Sequence, residues 1–230
     1  MSMNLQAQII RRVRETPDVV TLYFTVDGRP LDHTAGQYIT VYFDETDIKQ
    51  GKAYSLSSTP GDQYSSITVK KIGLFSGKLH GLRVGDRLTI SRPYGFFYAH
   101  QDMPIIAIAA GVGIAPIWSI INHELRNKAT NQTIKLFYTN KTADDIVFRG
   151  AIDDLAGRYN NVVKQYFTTR QIESPYIHRR LVVTSDIINA SANSGFYVCG
   201  SQDFVSSIWR QLIEASVHED LISTETFFES

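Results

Sequence analysis

Cysteine is almost missing from this 230-residue chain, with Cys199 standing alone. One thiol excludes a disulfide framework within the chain. It also excludes a cysteine-ligated iron–sulfur cluster, which needs at least two and usually four thiolates. Excess charge of either sign is lacking as well: 23 Lys and Arg balance 23 Asp and Glu. A neutral chain argues against a nucleic-acid binder. No apolar run approaches the roughly twenty residues of a membrane span. The opening MSMNLQAQIIRRVRE carries no signal-peptide core, so a cytoplasmic protein without a membrane span is expected. The histidines show no metal-ligand spacing. His218-Glu219-Asp220 reads as a solvated helix end, and no internal repeat or low-complexity stretch is present.

The charge that is there is slightly polarised. Residues 1–100 hold 12 Lys and Arg against 9 Asp and Glu, giving +3; residues 101–230 hold 11 against 14, giving −3. Such a bias suits an acidic partner near the first half.

The most informative stretch runs from Pro104 to Trp118. Ile105 to Ala110 has the β-branched and small apolar composition of a buried parallel strand. Gly111 and Gly113 follow at once, and Ile114, Ile117, Trp118, Ile121 and Leu125 then recur at helical spacing. A strand, a glycine turn and a helix N-terminus together offer free N–H donors and a partial positive charge to a phosphate. Pro116 stands where the dinucleotide fingerprint has its third glycine. Proline fits there because in the first helical turn its missing N–H has no partner to lose. A Gly-x-Gly by itself is also compatible with an ordinary tight turn.

Before this stretch the pattern is β. Val20, Leu22, Phe24 and Val26 share one face of a strand, and Ile39, Val41 and Phe43 alternate with Tyr38, Thr40 and Tyr42. Segments 6–14, 52–57, 66–72 and 87–91 read similarly. Turn signals at Asp27-Gly28, Pro60-Gly61 and Gly85-Asp86 separate them. Six short strands with one helical segment over 75–82 suggest a small antiparallel barrel. After residue 100 strands and helices alternate, over 134–138, 148–158, 162–167, 195–199 and 203–217. That order predicts a parallel sheet with right-handed crossovers.

Gly36-Gln37-Tyr38, Lys52-Ala53-Tyr54-Ser55, Gly73-Leu74-Phe75-Ser76, Gly85-Asp86 and Pro93-Tyr94-Gly95-Phe96-Phe97 occur in that order. So do the later Gly-x-Gly-x-x-Pro and Cys199-Gly200. This ordered set resembles the ferredoxin–NADP⁺ reductase family over nearly the whole chain. The resemblance implies a six-stranded antiparallel Greek-key flavin barrel over residues 1–100 and a Rossmann-like α/β nicotinamide domain over 101–230. It further implies that Tyr54 packs on the isoalloxazine, that Ser55 lies near flavin N5, and that Gly73, Leu74, Phe75 and Ser76 cap the flavin phosphates. Lys52 stands where the family has an arginine on those phosphates. Lysine keeps the charge and loses the planar fork. Ala53, Val69, Lys70 and Lys71 would complete the barrel side of the flavin site. Phe227, or Phe228 beside it, would shield the ring.

On the nicotinamide side the resemblance implies Gly111, Val112, Gly113, Pro116, Cys199 and Gly200, with Ser55, Cys199 and Glu225 as the catalytic set. Coenzyme choice is marked at the end of the second strand of that domain. Tyr138-Thr139-Asn140-Lys141 lacks the ribose-binding carboxylate, and Lys141, with Arg170 as a second candidate, would accept a 2′-phosphate. The expectation is therefore a monomeric flavoprotein using FAD in preference to FMN, with NADPH or NADH as co-substrate. Its acceptor would be a redox protein such as a ferredoxin, a flavodoxin or an oxygenase component. Two rivals stand beside it: a reductase of free flavin, and a non-enzymatic nucleotide-binding regulatory subunit.

Overall fold

The computed structural model describes residues 4–43, 51–99, 103–127, 132–171, 175–181, 183, 187 and 193–227. Its first half is an antiparallel sheet of β1 (Leu5–Thr16), β2 (Val19–Val26), β3 (Tyr38–Tyr42), β4 (Lys52–Ser55), β5 (Ser65–Lys70) and β6 (Arg87–Ile90), with α1 (Leu74–Gly81) after β5. The strand order is β4-β3-β6-β1-β2-β5. Neighbouring strands run antiparallel throughout. A bridge between Leu56 and Ile67 joins the two edges and closes the barrel. Alternation is what drives closure. Ile39 and Val41 of β3 are fully buried and share a core with Ile9, Leu22, Phe24, Ile67 and Val69, capped by Phe75 and Leu79 of α1.

The second half is a parallel sheet of β7 (Ile105–Ala110), β8 (Ile134–Asn140), β9 (Val162–Thr168), β10 (Ile177–His178), β11 (Gly195–Ser201) and β12 (Ile222–Phe227). Its order is β10-β9-β8-β7-β11-β12, with every pairing parallel. The crossover helices are α2 (Ile114–Asn127), α3 (Arg149–Arg158) and α4 (Gln202–Glu214). The helix expected over 203–217 thus stops at Glu214, and Ser216 just beyond it has a φ of 65°, a left-handed turn that ends the helix. The two-residue β10, too short to show alternation, was not expected from the sequence, whereas β12 realises the terminal strand that was the plain reading of the closing segment. The sheet's strand order reverses between β7 and β11, the position where open α/β sheets bind ligands.

The two halves share one core. Val19, Ala35 and Phe97 pack with Ala107, Ile117, Ile120, Tyr197 and Cys199. Across this seam Ser119 Oγ of α2 donates to the Ser58 carbonyl at 2.6 Å, and Arg126 pairs with Asp62. Gly36 is required here for space, because a Cβ would sit 1.7 Å from the Phe97 carbonyl oxygen. The expected domain boundary at residues 100–102 lies outside the described residues. Among the described residues no helix is long and apolar enough to cross a membrane.

Candidate functional site

Three residues far apart in sequence meet at the seam. Ser55 ends β4, where it is buried, and its hydroxyl donates to Oε1 of Glu225 on β12. Parallel pairing of β11 with β12 sets Cys199 level with Glu225, so both lie at the same height on the sheet. Burial pushes the Glu225 carboxyl up to about 7, a rise that the Ser55 hydrogen bond partly offsets. Cys199 is fully buried. Its thiol is pushed well above the usual range first by burial and second by the neighbouring Glu225 carboxylate. A thiol so placed is a packing group beside a carboxyl that changes protonation near neutrality, and not a nucleophile.

The glycine turn behind them works through two different constraints. Gly111 has a φ of 53° with open space where a Cβ would go, so it is needed for its backbone conformation. Gly113 is needed for room, since a Cβ there would lie 2.2 Å from the Cys199 carbonyl oxygen. Tyr138, fully buried in β8, fixes the turn from below. Its hydroxyl donates to the Gly111 carbonyl at 2.8 Å and accepts the Val147 N–H at 3.3 Å. The sequence marks Tyr138 only as the end of a strand; nothing local signals that its hydroxyl reaches the turn of the neighbouring strand.

A cleft of about 270 Å³ opens between the halves at this point. Of the residues expected to bind cofactors, Lys70, Gly111, Val112, Lys141, Gly200 and Phe227 line it. Gly113 and Pro116 are buried behind it. Asp18, Ile72, Thr139, Asn140, Asp145 and Phe204 also line the cleft and were not anticipated. All but Phe204, which is in the first turn of α4, sit in turns, short helical segments or at strand ends, where no periodic pattern singles out a residue. Lys141 is exposed at the end of β8, and the Arg170 N–H donates to its carbonyl at 2.9 Å. Arg170 is exposed beside it. Phe228 lies outside the described residues.

A second group of expected flavin residues lies on the barrel beside the junction of β4 and β5, which is made by the Leu56–Ile67 bridge and the Ser57 N–H donating to the Ser66 carbonyl at 2.8 Å. The Tyr54 ring stacks on Phe75, with centroids 6.2 Å apart and planes at 22°, and burial pushes its hydroxyl well above the usual phenol range. At the start of α1, Ser76 Oγ accepts the N–H groups of Ile72 at 2.9 Å and Gly73 at 3.0 Å. The amides of Leu74 and Phe75 are in the first turn, where the helix offers them no acceptor, and no acidic side chain stands there. Lys52 on β4 is half-buried, and Ala53 and Lys71 are exposed. Val69 and Phe75 point into the barrel core, which leaves their backbone as the part open to a ligand. An aromatic wall, a lysine and a helix N-terminus without acids form a donor set suited to an anionic planar cofactor such as a flavin nucleotide.

The family model of the oxidoreductase NAD-binding domain matches residues 107–209, the stretch holding the glycine turn and Cys199. Flavohemoprotein A of Dictyostelium discoideum is 30% identical over 94% of the chain and 58% of that protein. The FAD/NAD-binding domain of nitric oxide dioxygenase from Vibrio cholerae superposes with a TM-score of 0.85 at 23% identity, covering 97% of this chain and 98% of that one. Ferredoxin-NADP⁺ reductase from Plasmodium falciparum gives 0.81 at 18% identity, over 97% and 96% of the two chains.

The chain has the two-domain fold of a ferredoxin–NADP⁺ reductase.

The two structural likenesses are likenesses of fold. They cover 97% of the chain, barrel and parallel sheet together. The chain spans about three-fifths of the length of the curated relatives it matches. Within it, chain topology accounts for the convergence of Ser55, Cys199 and Glu225. β11 sits at the sheet's reversal point, β12 lies on its outer side, and the barrel presents the end of β4 to both.

Proposed function

We propose that this reductase module takes a hydride from NADPH at a bound FAD and delivers the electrons singly to a separate redox protein. In this reading residues 1–100 form the flavin half and 101–230 the nicotinamide half, and a monomer suffices. The observation that carries the reading is the Ser55–Glu225 hydrogen bond, which ties the flavin-side strand to the nicotinamide-side sheet where the two rings would have to meet. A bound flavin supplies the change from two-electron to one-electron chemistry. The chain's residues supply position and dryness.

Ser55 would hold a proton at its hydroxyl beside the reacting edge, and Glu225 would fix that hydroxyl while moving between protonated and ionised forms near pH 7. Cys199, inert as a thiol, would set the depth to which a nicotinamide enters. Lys52 and the first turn of α1 would hold the flavin phosphates. The Gly111–Gly113 turn and the N-terminus of α2 would receive the coenzyme diphosphate, and Phe227 would cover the flavin face. FAD is favoured over FMN because the donors at Lys52 and α1 suit a diphosphate. NADPH is favoured over NADH because Lys141 directly follows β8 and no carboxylate stands among residues 138–141. The acceptor class is a ferredoxin, a flavodoxin or an oxygenase component, and the setting is the cytoplasm.

The test is direct. Purified protein should be yellow, release FAD on heating, and bleach anaerobically with NADPH. Lys141→Ala should erode the NADPH-over-NADH ratio of kcat/KM about tenfold, the effect of one exposed charge contact of roughly 1.4 kcal/mol. Colourless protein that oxidises NAD(P)H only with added flavin would make it a reductase of free flavin. Colourless protein inert in both assays would make it a binding subunit.

A further inference from the structure

The hydroxyl of Tyr138 works in two directions at once. It donates to the Gly111 carbonyl at 2.8 Å and accepts the Val147 N–H at 3.3 Å. A phenol has one proton to give and an amide N–H can only donate, so the proton lies on the Gly111 side. Burial pushes this hydroxyl well above the usual phenol range, which keeps the proton in place at any working pH. Both partners border the cleft. Gly111 and Val112 line it from the glycine turn, and Asp145 and Val147 line it from the segment between β8 and α3.

Each partner is a place where the backbone needs holding. Gly111 has a φ of 53° and open space where a Cβ would go, so its own sterics leave it free to turn. Val147 precedes Phe148, whose φ of 59° is an outlier for a bulky residue and persists only where the surroundings impose it. Those surroundings are the Trp118 ring stacked on Phe148 at 5.5 Å, the Ile152 N–H donating to the Phe148 carbonyl at 2.8 Å, and the Tyr138 tether on the residue before.

We propose that Tyr138 is a positioning residue for the coenzyme diphosphate, its single hydroxyl setting the direction of the 111–112 peptide and tying the 142–148 segment to it. The inference rests on the functional reading above, in which the glycine turn receives that diphosphate. In a trans peptide the C=O and the following N–H point opposite ways. Tyr138 draws the Gly111 carbonyl down towards β8, which aims the Val112 N–H at the cleft and withdraws an oxygen that would repel a phosphate. The Val147 bond sets the 142–148 segment from the same oxygen, so both parts of the cleft lining keep one spacing. Tyr138 itself touches neither coenzyme nor flavin. The Gly111 carbonyl also accepts the Ile114 N–H, so in Tyr138→Phe it stays paired and loses only the bond that orients it.

The experiment compares wild type, Tyr138→Phe, Gly111→Ala and the double variant as flavin-loaded full chains. It measures the Kd for ADP-ribose (which has the diphosphate without nicotinamide) by calorimetry, KM and kcat with NADH and NADPH, and flavin content. Tyr138→Phe should weaken ADP-ribose about fivefold, the scale of one misaligned backbone hydrogen bond. Both KM values should rise by about the same factor, with kcat within about twofold, because a contact remote from the reacting ring serves substrate and transition state alike. The ratio of variant to wild-type Kd should be equal at pH 6 and pH 9, since the hydroxyl does not ionise between them. In the double variant the two losses should fall short of multiplying, because both act on one peptide. A purely structural tyrosine would lower the urea midpoint and leave ADP-ribose affinity where it was, and that result overturns the proposal. Flavin lost in step with ADP-ribose affinity overturns it too, as does a fall in kcat at constant KM. Losses that multiply in the double variant overturn the route through Gly111. A wild-type protein that neither binds ADP-ribose nor oxidises NAD(P)H would defeat the functional reading, and the positioning role with it.

Discussion

Glu225→Gln should flatten the pH dependence of stability that the wild-type residue imposes. The Glu225 carboxyl ionises near its ordinary value of 4.5 in the unfolded chain and near 7 in the folded one. Below pH 4.5 both states hold the proton, and the residue is neutral in either. As pH rises through the window from 4.5 to 7 the unfolded chain gives up its proton first, so the folded state loses ground. Above pH 7 both are ionised and the penalty is constant. Each pH unit of separation is worth about 1.4 kcal/mol, so the full penalty is roughly 3 to 4 kcal/mol. Between pH 5 and pH 8 roughly 2 to 3 kcal/mol of it would be seen. Glutamine keeps the shape and can still accept the Ser55 hydroxyl, yet it does not titrate. Urea unfolding of both proteins at pH 5, 6, 7 and 8 gives the difference in stability at each pH. The variant should gain on wild type by roughly 2 to 3 kcal/mol from pH 5 to pH 8. Parallel curves would refute the argument, because they would mean that Glu225 ionises normally and that its burial imposes nothing.

Three further substitutions probe the turn and the seam. The two glycines of the turn should respond unequally. Gly111→Ala meets open space and only the left-handed φ, a cost of about 1 kcal/mol. Gly113→Ala drives a methyl into the Cys199 carbonyl and should cost about 3 kcal/mol, both read from urea midpoints at constant slope. Ser119→Ala should cost about 1 kcal/mol by the same measurement. The loss is modest because the Ser58 carbonyl that it abandons keeps the His33 ring at 3.2 Å.

Much of the architecture was legible because it is written in local periodicity. Strict alternation in 38–42 places Ile39 and Val41 inside and the tyrosines outside for any strand with one buried face. The run Ile105–Ala110 followed by two glycines and an apolar helix reads as strand, turn and helix without reference to anything distant. The ordered motifs from Gly36 to Gly200 carried the family resemblance for the same reason: each is a short constraint on backbone shape. Other features were invisible at that level. Thr21, Thr68, Ser57 and Ser66 form a buried chain of hydroxyl contacts at 2.9–3.0 Å. In sequence they are ordinary polar positions on alternating strands, and only the barrel's closure removes them from water and makes them satisfy one another.

The site divides along the same line. Residue types at Lys52, Tyr54, Ser55, Cys199 and Glu225, and the need for glycine at 111, follow from the chain itself, since they depend on chemistry and on dihedral freedom within a few residues; the need for glycine at 113 comes from the Cys199 carbonyl packed against it. Tertiary structure alone decided that Ser55 reaches Glu225 across 170 positions and that the register of β11 with β12 sets Cys199 beside that carboxyl. It also decided that Lys70 is held by Asp18 at the mouth of the cleft. Register and sheet order are set by the summed burial of many side chains, a quantity that no single segment contains.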